Sequence, residues 1–292
     1  MAPPRQPPLH LVEAYTLNGT VPLEDFFVDD SGEGAGTFYS YDASAIEEEL
    51  AQAKSLYRSA QPVPSHLPPL GSSRFAKTQW LVRALAAMSL TASRVVVFGS
   101  IDPFEECLCL AAGAAHVTTV DYNRLSFEHP SLSTMTLDEL SGSPPGSLQF
   151  DVALSLSSFD HDGLGRYGDR LHPMGDLLAM RTAWRVLRPG GRLLLSVPVG
   201  PDVLVWNLHR RYGPKRLPWL LRGWEEVTRF GWEESRLNEP ASYLHSYEPL
   251  FLLRRNGTTS DDIWDSVPAV PPLPVVPDAT VESEHHCAHD EV

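Results

Sequence analysis

The sequence has few cysteines and lacks a long apolar run. Only three of its 292 residues are cysteine, with Cys107 and Cys109 two apart in an apolar segment and Cys287 in a polar one. This number and spacing make a disulfide framework implausible. No stretch approaches the ~18 consecutive apolar residues of a membrane-spanning helix, and Met1–Pro8 lacks the apolar core of a secretory signal. We therefore expect a cytoplasmic protein with no membrane partner.

Positive charge is also scarce. The chain carries 23 Lys and Arg against 37 Asp and Glu, a formal charge of −14 at pH 7. Binding to nucleic acid depends on Lys and Arg that displace counterions from phosphates, so a nucleic-acid partner is disfavoured. The 42% of hydrophobic residues can bury a large core, and the length suits one principal domain with extensions.

Composition divides the chain into three parts. Residues 1–72 are expected to form an N-terminal extension with one amphipathic helix, which starts at the capping-box sequence Ser44-Ala45-Ile46-Glu47 and ends before the proline-rich linker Pro62–Pro69. Residues 73–255 are predicted to be the principal domain, with Ser73 capping its first helix. Residues 256–292 are expected to be a disordered, proline-rich acidic tail.

Two patterns in the predicted tail are weak signals. A P-x-x-P pattern within Pro268–Pro274 could bind an SH3-like partner, although a solvated tail explains it as well. His285-His286-Cys287 and His289 are metal-ligand types without a second ligand pair, so no metal site is expected.

Short apolar strands alternate with helical segments in the central part. Strands are predicted at Val95–Phe98, Val117–Val120, Phe150–Leu156, Arg192–Val197 and Tyr247–Leu253, the last beside the aromatic-rich segment Trp219–Trp232; helices are predicted over Pro103–Ala112 and from Asp176 to Pro189-Gly190-Gly191. Continuously apolar strands joined by helices are typical of a parallel sheet covered on both faces. The sequence thus predicts an α/β fold with a doubly wound, mostly parallel sheet.

Small and polar residues follow the first two predicted strands. Ligands of open α/β sheets bind beyond the carboxyl ends of strands, so Gly99, Ser100, Asp121, Tyr122 and Asn123 are candidate cofactor-binding residues. A glycine allows close approach of a ligand, and an acidic residue can accept hydrogen bonds from ribose hydroxyls. The alternatives are that Gly99 is only a tight turn and Asp121 only a solvated strand end.

The loop after Gly99 discriminates between cofactors. It lacks the G-x-G-x-x-G fingerprint, and Asp102, Glu105 and Glu106 crowd the start of the next helix, with Asp102 expected as the N-cap and Pro103 as the first helical residue. These carboxylates oppose a diphosphate but tolerate the positive charge of S-adenosylmethionine. They are equally explained as helix caps without any ligand.

Two longer runs carry a family resemblance. Phe150-Asp151-Val152-Ala153-Leu154-Ser155, followed by Trp184-Arg185-Val186-Leu187-Arg188-Pro189-Gly190-Gly191-Arg192-Leu193, resembles the later half of class I S-adenosylmethionine-dependent methyltransferases. Asp160-His161-Asp162-Gly163-Leu164-Gly165-Arg166-Tyr167-Gly168-Asp169, then Pro173 and Gly175-Asp176, is similar to the DUF268 family of uncharacterised proteins, over about residues 18–253. The resemblance implies a Rossmann-like methyltransferase fold and S-adenosylmethionine as cofactor. The short interval from Asp121 to Met135 predicts that the helix normally found there is reduced.

The segment His161–Asp169 supplies the candidate chemistry. A histidine can accept a proton near neutral pH and a neighbouring carboxylate can orient it, so His161 is predicted to be the proton acceptor and Asp162 its partner. Arg166, Tyr167 and Asp169 are predicted to hold a polar or anionic acceptor. The alternative is a glycine-rich turn whose polar side chains satisfy its own backbone.

Two functions remain open at this point. The first is methyl transfer from S-adenosylmethionine to a small-molecule or carbohydrate-like acceptor. The second is a non-catalytic binding or scaffold protein with a degenerate cofactor loop, suggested by the single glycine at Gly99. A pocket filled by Phe104 or Tyr122 would favour the scaffold, and an open cleft would count against it.

Overall fold

A computed structural model describes residues 2–32, 36–60, 74–144, 146–241 and 246–256. The helices are α1 (Leu9–Tyr15), α2 (Ala43–Ser59), α3 (Arg74–Met88), α4 (Phe104–Ala111), α5 (Leu137–Gly142), α6 (Gly175–Val186) and α7 (Leu217–Leu220), with a 3₁₀ turn at Glu234–Leu237. The strands are β1 (Leu23–Glu24), β2 (Phe38–Tyr41), β3 (Arg94–Phe98), β4 (His116–Asp121), β5 (Arg124–Phe127), β6 (Leu132–Thr136), β7 (Phe150–Leu156), β8 (Leu187–Ser196), β9 (Val203–Val205), β10 (His209–Arg211), β11 (Trp224–Phe230) and β12 (Leu250–Arg255). The predicted Ser73 cap, the proline-rich linker and the tail patterns beyond residue 256 lie outside the described residues.

The central sheet has the strand order β11-β12-β8-β7-β3-β4-β6. Neighbours from β6 to β8 pair in parallel, whereas β12 pairs antiparallel with both β8 and β11. From β3 the chain first builds one side of the sheet through β4 and β6, then crosses to the other side through β7 and β8. This confirms the predicted doubly wound, mostly parallel sheet of the class I methyltransferase type.

The inner strands are buried because helices cover both faces of the sheet. In β3 every residue after Arg94 is buried, and Val152, Ala153 and Leu154 of β7 have no solvent exposure. One apolar core joins these strands to helix residues such as Leu85 of α3. Such burial is why these strands read as continuous apolar runs. None of the described helices combines the length and the apolar character needed to cross a bilayer.

The N-terminal residues add strands to the domain. The predicted amphipathic helix corresponds to α2, and α1 is a further helix in the opening segment, for which no helix was predicted. Strand β1 pairs in parallel with β9, with Leu23 opposite Leu204, and β2 pairs in parallel with β5. The Tyr15 hydroxyl donates a hydrogen bond of 2.6 Å to the Gly163 carbonyl. The extension therefore contacts the domain at Tyr15, at Leu23–Glu24 and at Phe38–Tyr41.

The observed helix caps differ from those predicted. The N-cap of α2 is Asp42, whose Oδ1 accepts from the Ala45 N–H at 2.9 Å, and Ser44 lies inside the first turn. Helix α4 starts at Phe104 after Pro103, one residue later than predicted, although Asp102 Oδ1 still accepts from the Phe104 N–H at 3.2 Å. An Asp accepts at this position as well as a Ser does, so the pattern alone could not choose between them.

One connection of the sheet agrees with the sequence prediction, and another differs from it. The described residues 122–135 form β5 and most of β6 and contain no helix, which confirms the predicted reduction. Pro189-Gly190-Gly191 does not end α6, which stops at Val186; these residues lie within β8, where Gly190 has φ +77°. A backbone at that angle favours glycine, so the turn belongs to the strand entry.

Candidate functional site

A cavity of about 570 Å³ lies at the carboxyl ends of β3, β4 and β7. Gly99 follows β3, Asp121 ends β4, and Ser157 and Ser158 follow β7; all four line it. This is the edge of the sheet where the strand order reverses, the usual ligand position in such folds. The volume is within the range of small-molecule sites.

A second cavity of about 730 Å³ adjoins the first beside the start of α6. Six residues line both cavities, and we call them the shared wall: Phe98, Tyr122, Leu137, Phe159, Asp162 and Tyr167. The two cavities therefore share a border formed by these six residues.

Gly99 is required by the close approach of Ser158. Its φ of +73° favours glycine, and a Cβ built on it would lie 2.0 Å from Ser158 Oγ. The Gly99 N–H donates to the Val120 carbonyl at 2.9 Å. The glycine thus has a packing role whether or not a ligand binds beside it.

Ser100 lines neither of the two cavities that the described residues form. Its hydroxyl donates to the Asp102 carbonyl at 2.7 Å and lies 3.2 Å from Glu106 Oε2. Glu106 is fully buried and accepts a 2.6 Å hydrogen bond from the Thr119 hydroxyl. Burial, aided by the charge of Glu105, raises the pKa of Glu106 to about 8. Ser100 and Glu106 therefore connect the loop after β3 to Thr119 of β4 through hydrogen bonds.

The residues around Asp121 have distinct partners. Asp121 Oδ1 accepts from the Asn123 N–H at 2.7 Å, and burial raises the pKa of Asp121. The Asn123 side chain accepts from the Thr37 N–H at 2.8 Å, so it holds the N-terminal segment. The Tyr122 hydroxyl donates to Asp162 Oδ1 at 3.2 Å, and burial raises the pKa of Tyr122 far enough to keep it protonated.

The N-terminal segment forms one side of the first cavity. None of its residues was predicted from the sequence to lie in the site. Asp29, Asp30, Gly32, Thr37 and Tyr39 line it. Arg166 Nε donates to Asp30 Oδ2 at 2.7 Å, and the Asp30 N–H donates to the Arg166 carbonyl at 3.0 Å. The aromatic run Phe38-Tyr39-Ser40-Tyr41 was the available signal, since such residues favour strands.

His161 lines the first cavity as a neutral ring. Its Nδ1 donates to the Leu208 carbonyl, which can only accept, so Nε2 carries the lone pair. Burial lowers the pKa of His161 to about 4. Asp160 Oδ2, fully buried, lies 3.5 Å from Nε2, and burial raises the pKa of Asp160 well above its usual range. The carboxyl beside the ring is thus Asp160, whereas Asp162, the predicted partner, contacts Tyr122.

The glycine-rich segment is held by its own carboxylate and by a buried arginine. Asp169 accepts from the N–H groups of Gly163 and Gly165 at 2.8 and 3.0 Å, as the alternative of a self-satisfied turn expects. Arg210, with no solvent exposure, donates to the Asp162 carbonyl at 2.7 Å and the Pro173 carbonyl at 3.2 Å. Within His209-Arg210-Arg211 nothing in the sequence distinguishes this arginine from a solvated one. These hydrogen bonds hold the backbone that follows His161.

Comparisons with known proteins concern family and fold. Residues 92–253 match the family model described as "Caenorhabditis protein of unknown function, DUF268". No curated protein matches the sequence. Similar solved structures include a Streptococcus mutans protein classed with the SAM-dependent methyltransferases (12% identity, 63% of this chain and 50% of that chain, TM-score 0.40). They also include an S-adenosylmethionine-dependent methyltransferase from Mesorhizobium loti (16%, 60% and 98%, 0.41) and the N-methyltransferase NodS from Bradyrhizobium japonicum (18%, 63% and 99%, 0.42). At these scores the fold assignment rests on the strand order described above.

Proposed function

Because the chain belongs to the DUF268 family and has the doubly wound sheet of class I methyltransferases, we propose that it is an S-adenosylmethionine-dependent methyltransferase with a small-molecule or carbohydrate-like acceptor. The observation that carries this proposal is the open cavity of about 570 Å³ bordered by both Gly99 and Asp121. Tyr122 lines this cavity without filling it, which supports an enzyme over a scaffold.

The chemistry of the first cavity fits this cofactor. Asp29, Asp30 and Asp121 border it, and the guanidinium of Arg166 is already paired with Asp30. Positive charge on sulfur and on an amino group is compatible with such a border, whereas a diphosphate is not. Asp121 would accept from the ribose hydroxyls, and Tyr122 and Asn123 adjoin it. When bound, the cofactor supplies an electrophilic methyl group on positively charged sulfur.

The protein's own residues would then orient the acceptor and receive its proton. Neutral His161 has its lone pair on Nε2, because Nδ1 donates to the Leu208 carbonyl; its pKa of about 4 makes it a weak base that would pass a proton from the acceptor on to solvent and not hold it near pH 7. Asp160 adjoins that nitrogen. Arg166 and Tyr167 border the same cavity and can bind acceptor polar groups, while Asp169 holds their loop.

A non-catalytic binding protein is the second candidate. It is favoured by the contact between Gly99 and Ser158, which explains the single loop glycine without a ligand. Such a protein could bind the nucleoside and transfer nothing.

Calorimetry with S-adenosylhomocysteine and S-adenosylmethionine tests the proposal. We expect saturable binding, and Asp121→Ala should weaken it roughly 10- to 100-fold, since a lost hydrogen bond to a charged group costs ~1.5–3 kcal/mol. Asp25→Ala is the matched control, because Asp25 is exposed and lines neither cavity. A folded protein that binds neither compound at millimolar concentration would exclude both the enzyme and the nucleoside-binding alternative.

A further inference from the structure

Aromatic rings predominate where the two cavities meet. Of the six residues in the shared wall, Phe98, Tyr122, Phe159 and Tyr167 are aromatic. The rings of Phe98 and Phe159 have centroids 5.3 Å apart and are tilted by 58° to each other. Aromatic faces carry partial negative charge, so a cavity border rich in aromatic residues favours a cation, above all an alkylammonium.

A carboxyl group lies in the same wall. Among the described residues only Tyr122 donates to the side chain of Asp162, to Oδ1, so Oδ2 remains available to a ligand. Burial, aided by the charge of Asp169, raises the pKa of Asp162 well above its usual range; a cation beside this group is attracted by the neighbouring rings and favours ionisation of the carboxyl.

Positive side chains near the wall do not oppose a cation strongly. Arg166 lies 4.9 Å from the Tyr167 ring centroid and is neutralised by Asp30 at 2.7 Å. Arg170, which lines the second cavity, is exposed to solvent. His161 and His172 have pKa values lowered by burial and are neutral near pH 7. An anionic acceptor would find no unpaired, buried cation among these residues.

We propose that the shared wall is a subsite for a positively charged alkylammonium group and that the acceptor is an amine. The identity of the acceptor rests on the proposed function, whereas cation binding by the wall does not.

Methyl transfer to an amine begins with the loss of a proton from the bound ammonium. The bound ammonium releases one proton by way of His161 Nε2 to solvent, and the freed nitrogen lone pair forms a bond to the methyl carbon. The carbon–sulfur bond breaks and its electron pair stays on sulfur. Positive charge thus moves from sulfur to nitrogen, within reach of the same rings and of Asp162.

Choline and its neutral isostere 3,3-dimethylbutan-1-ol test the subsite directly. Both are titrated into the full chain, with and without saturating S-adenosylhomocysteine, and binding is followed by protein NMR shifts. We expect choline to bind ~10-fold more tightly, the order of a desolvated cation–π contact. Equal binding, or tighter binding of acetate than of choline, would overturn the inference. If S-adenosylhomocysteine binds and choline shows no preference, only this inference fails. If choline is preferred and S-adenosylhomocysteine does not bind, the methyltransferase proposal and the amine acceptor fail, while the cation subsite stands.

Substitutions at two equally buried phenylalanines test whether the shared wall causes the preference for choline. Phe159→Leu should abolish the preference for choline, whereas Phe150→Leu should retain it, since both side chains are 2% exposed and Phe150 lines neither cavity. Circular dichroism establishes that each variant is folded. If Phe159→Leu does not fold, Tyr167→Leu and Asp162→Asn take its place, and an unchanged preference in folded variants would refute the assignment.

Discussion

We expect Glu106 to make the stability of this protein depend on pH. It has no solvent exposure, and its pKa is raised to about 8 in the folded state, against ~4.3 for a free glutamate. Below the lower value both states are protonated. Between the two values only the unfolded chain loses the proton, so the free energy of unfolding falls as pH rises, by up to ~1.4 kcal/mol per pH unit.

Urea unfolding at pH 5, 6.5 and 8 measures this effect. Glu106→Gln should reduce this dependence, because the amide is neutral at every pH and can still accept from the Thr119 hydroxyl. Asp160 and Asp162, whose pKa values burial also raises, keep a slope of the same sign. Glu128→Gln, at an exposed position, should leave the slope of the wild type unchanged. Parallel curves for the wild type and Glu106→Gln would show that Glu106 is ionised in the folded protein.

His161 should stay neutral across the physiological range. Its pKa of about 4 has burial as the main cause, with the nearby charge of Arg166 adding to it. In an NMR titration the Cε1 proton of His161, assigned by its loss in His161→Gln, should not shift between pH 8 and 5. A midpoint near 6.5, the ordinary value, would contradict the buried neutral ring.

Single residues of the site were predictable where they directly follow a strand. Gly99, Asp121 and Tyr122 line the first cavity because parallel strands end at one edge, a consequence of topology alone. Asp160 and Arg210 were not predictable as partners of the His161 segment. Their roles depend on burial, which only the packing of distant segments decides.

At the scale of elements, the start of α2 gives a matched pair of substitutions. Asp42→Ala should lower the free energy of unfolding by ~1 kcal/mol, because its side chain accepts from the Ala45 N–H. Ser44→Ala lies inside the first turn and should change it by less than ~0.5 kcal/mol. Chemical denaturation measures both. A larger loss for Ser44→Ala would restore the cap that the sequence pattern suggested.

Elements differ in how clearly their sequences define them. β3 and β7 were predicted nearly to their ends, since strands buried on both faces are continuously apolar. β2 was missed because it is four residues long, half exposed and, among the strands that the structure describes, paired only with β5. Short strands of this kind form only when a partner strand is present, so their own residues carry little signal.

At the scale of the whole molecule, ligand binding should slow amide hydrogen exchange in the N-terminal segment. Asp29, Asp30 and Thr37 line the first cavity beside Gly99 and Asp121. On addition of S-adenosylhomocysteine, amide hydrogen exchange should slow at residues 28–30 and 37–39, because local opening would then cost binding energy. The amides of β11, which lines neither cavity, are the internal control and should exchange as before. Slowing confined to residues 99–121 would exclude the N-terminal segment from the site.

The pairing of β1 with β9 has a consequence for how the chain is made. Leu23 is synthesised long before its partner Leu204. The Val28 N–H likewise cannot bind the Asn207 side chain until residue 207 has been made. Closing so long a loop costs chain entropy that local contacts cannot offset beforehand. The cavity side formed by residues 29–32, next to β1 and Val28, should therefore be among the last parts to form during synthesis, and a nascent chain stalled before residue 204 should bind S-adenosylhomocysteine more weakly than the full chain does.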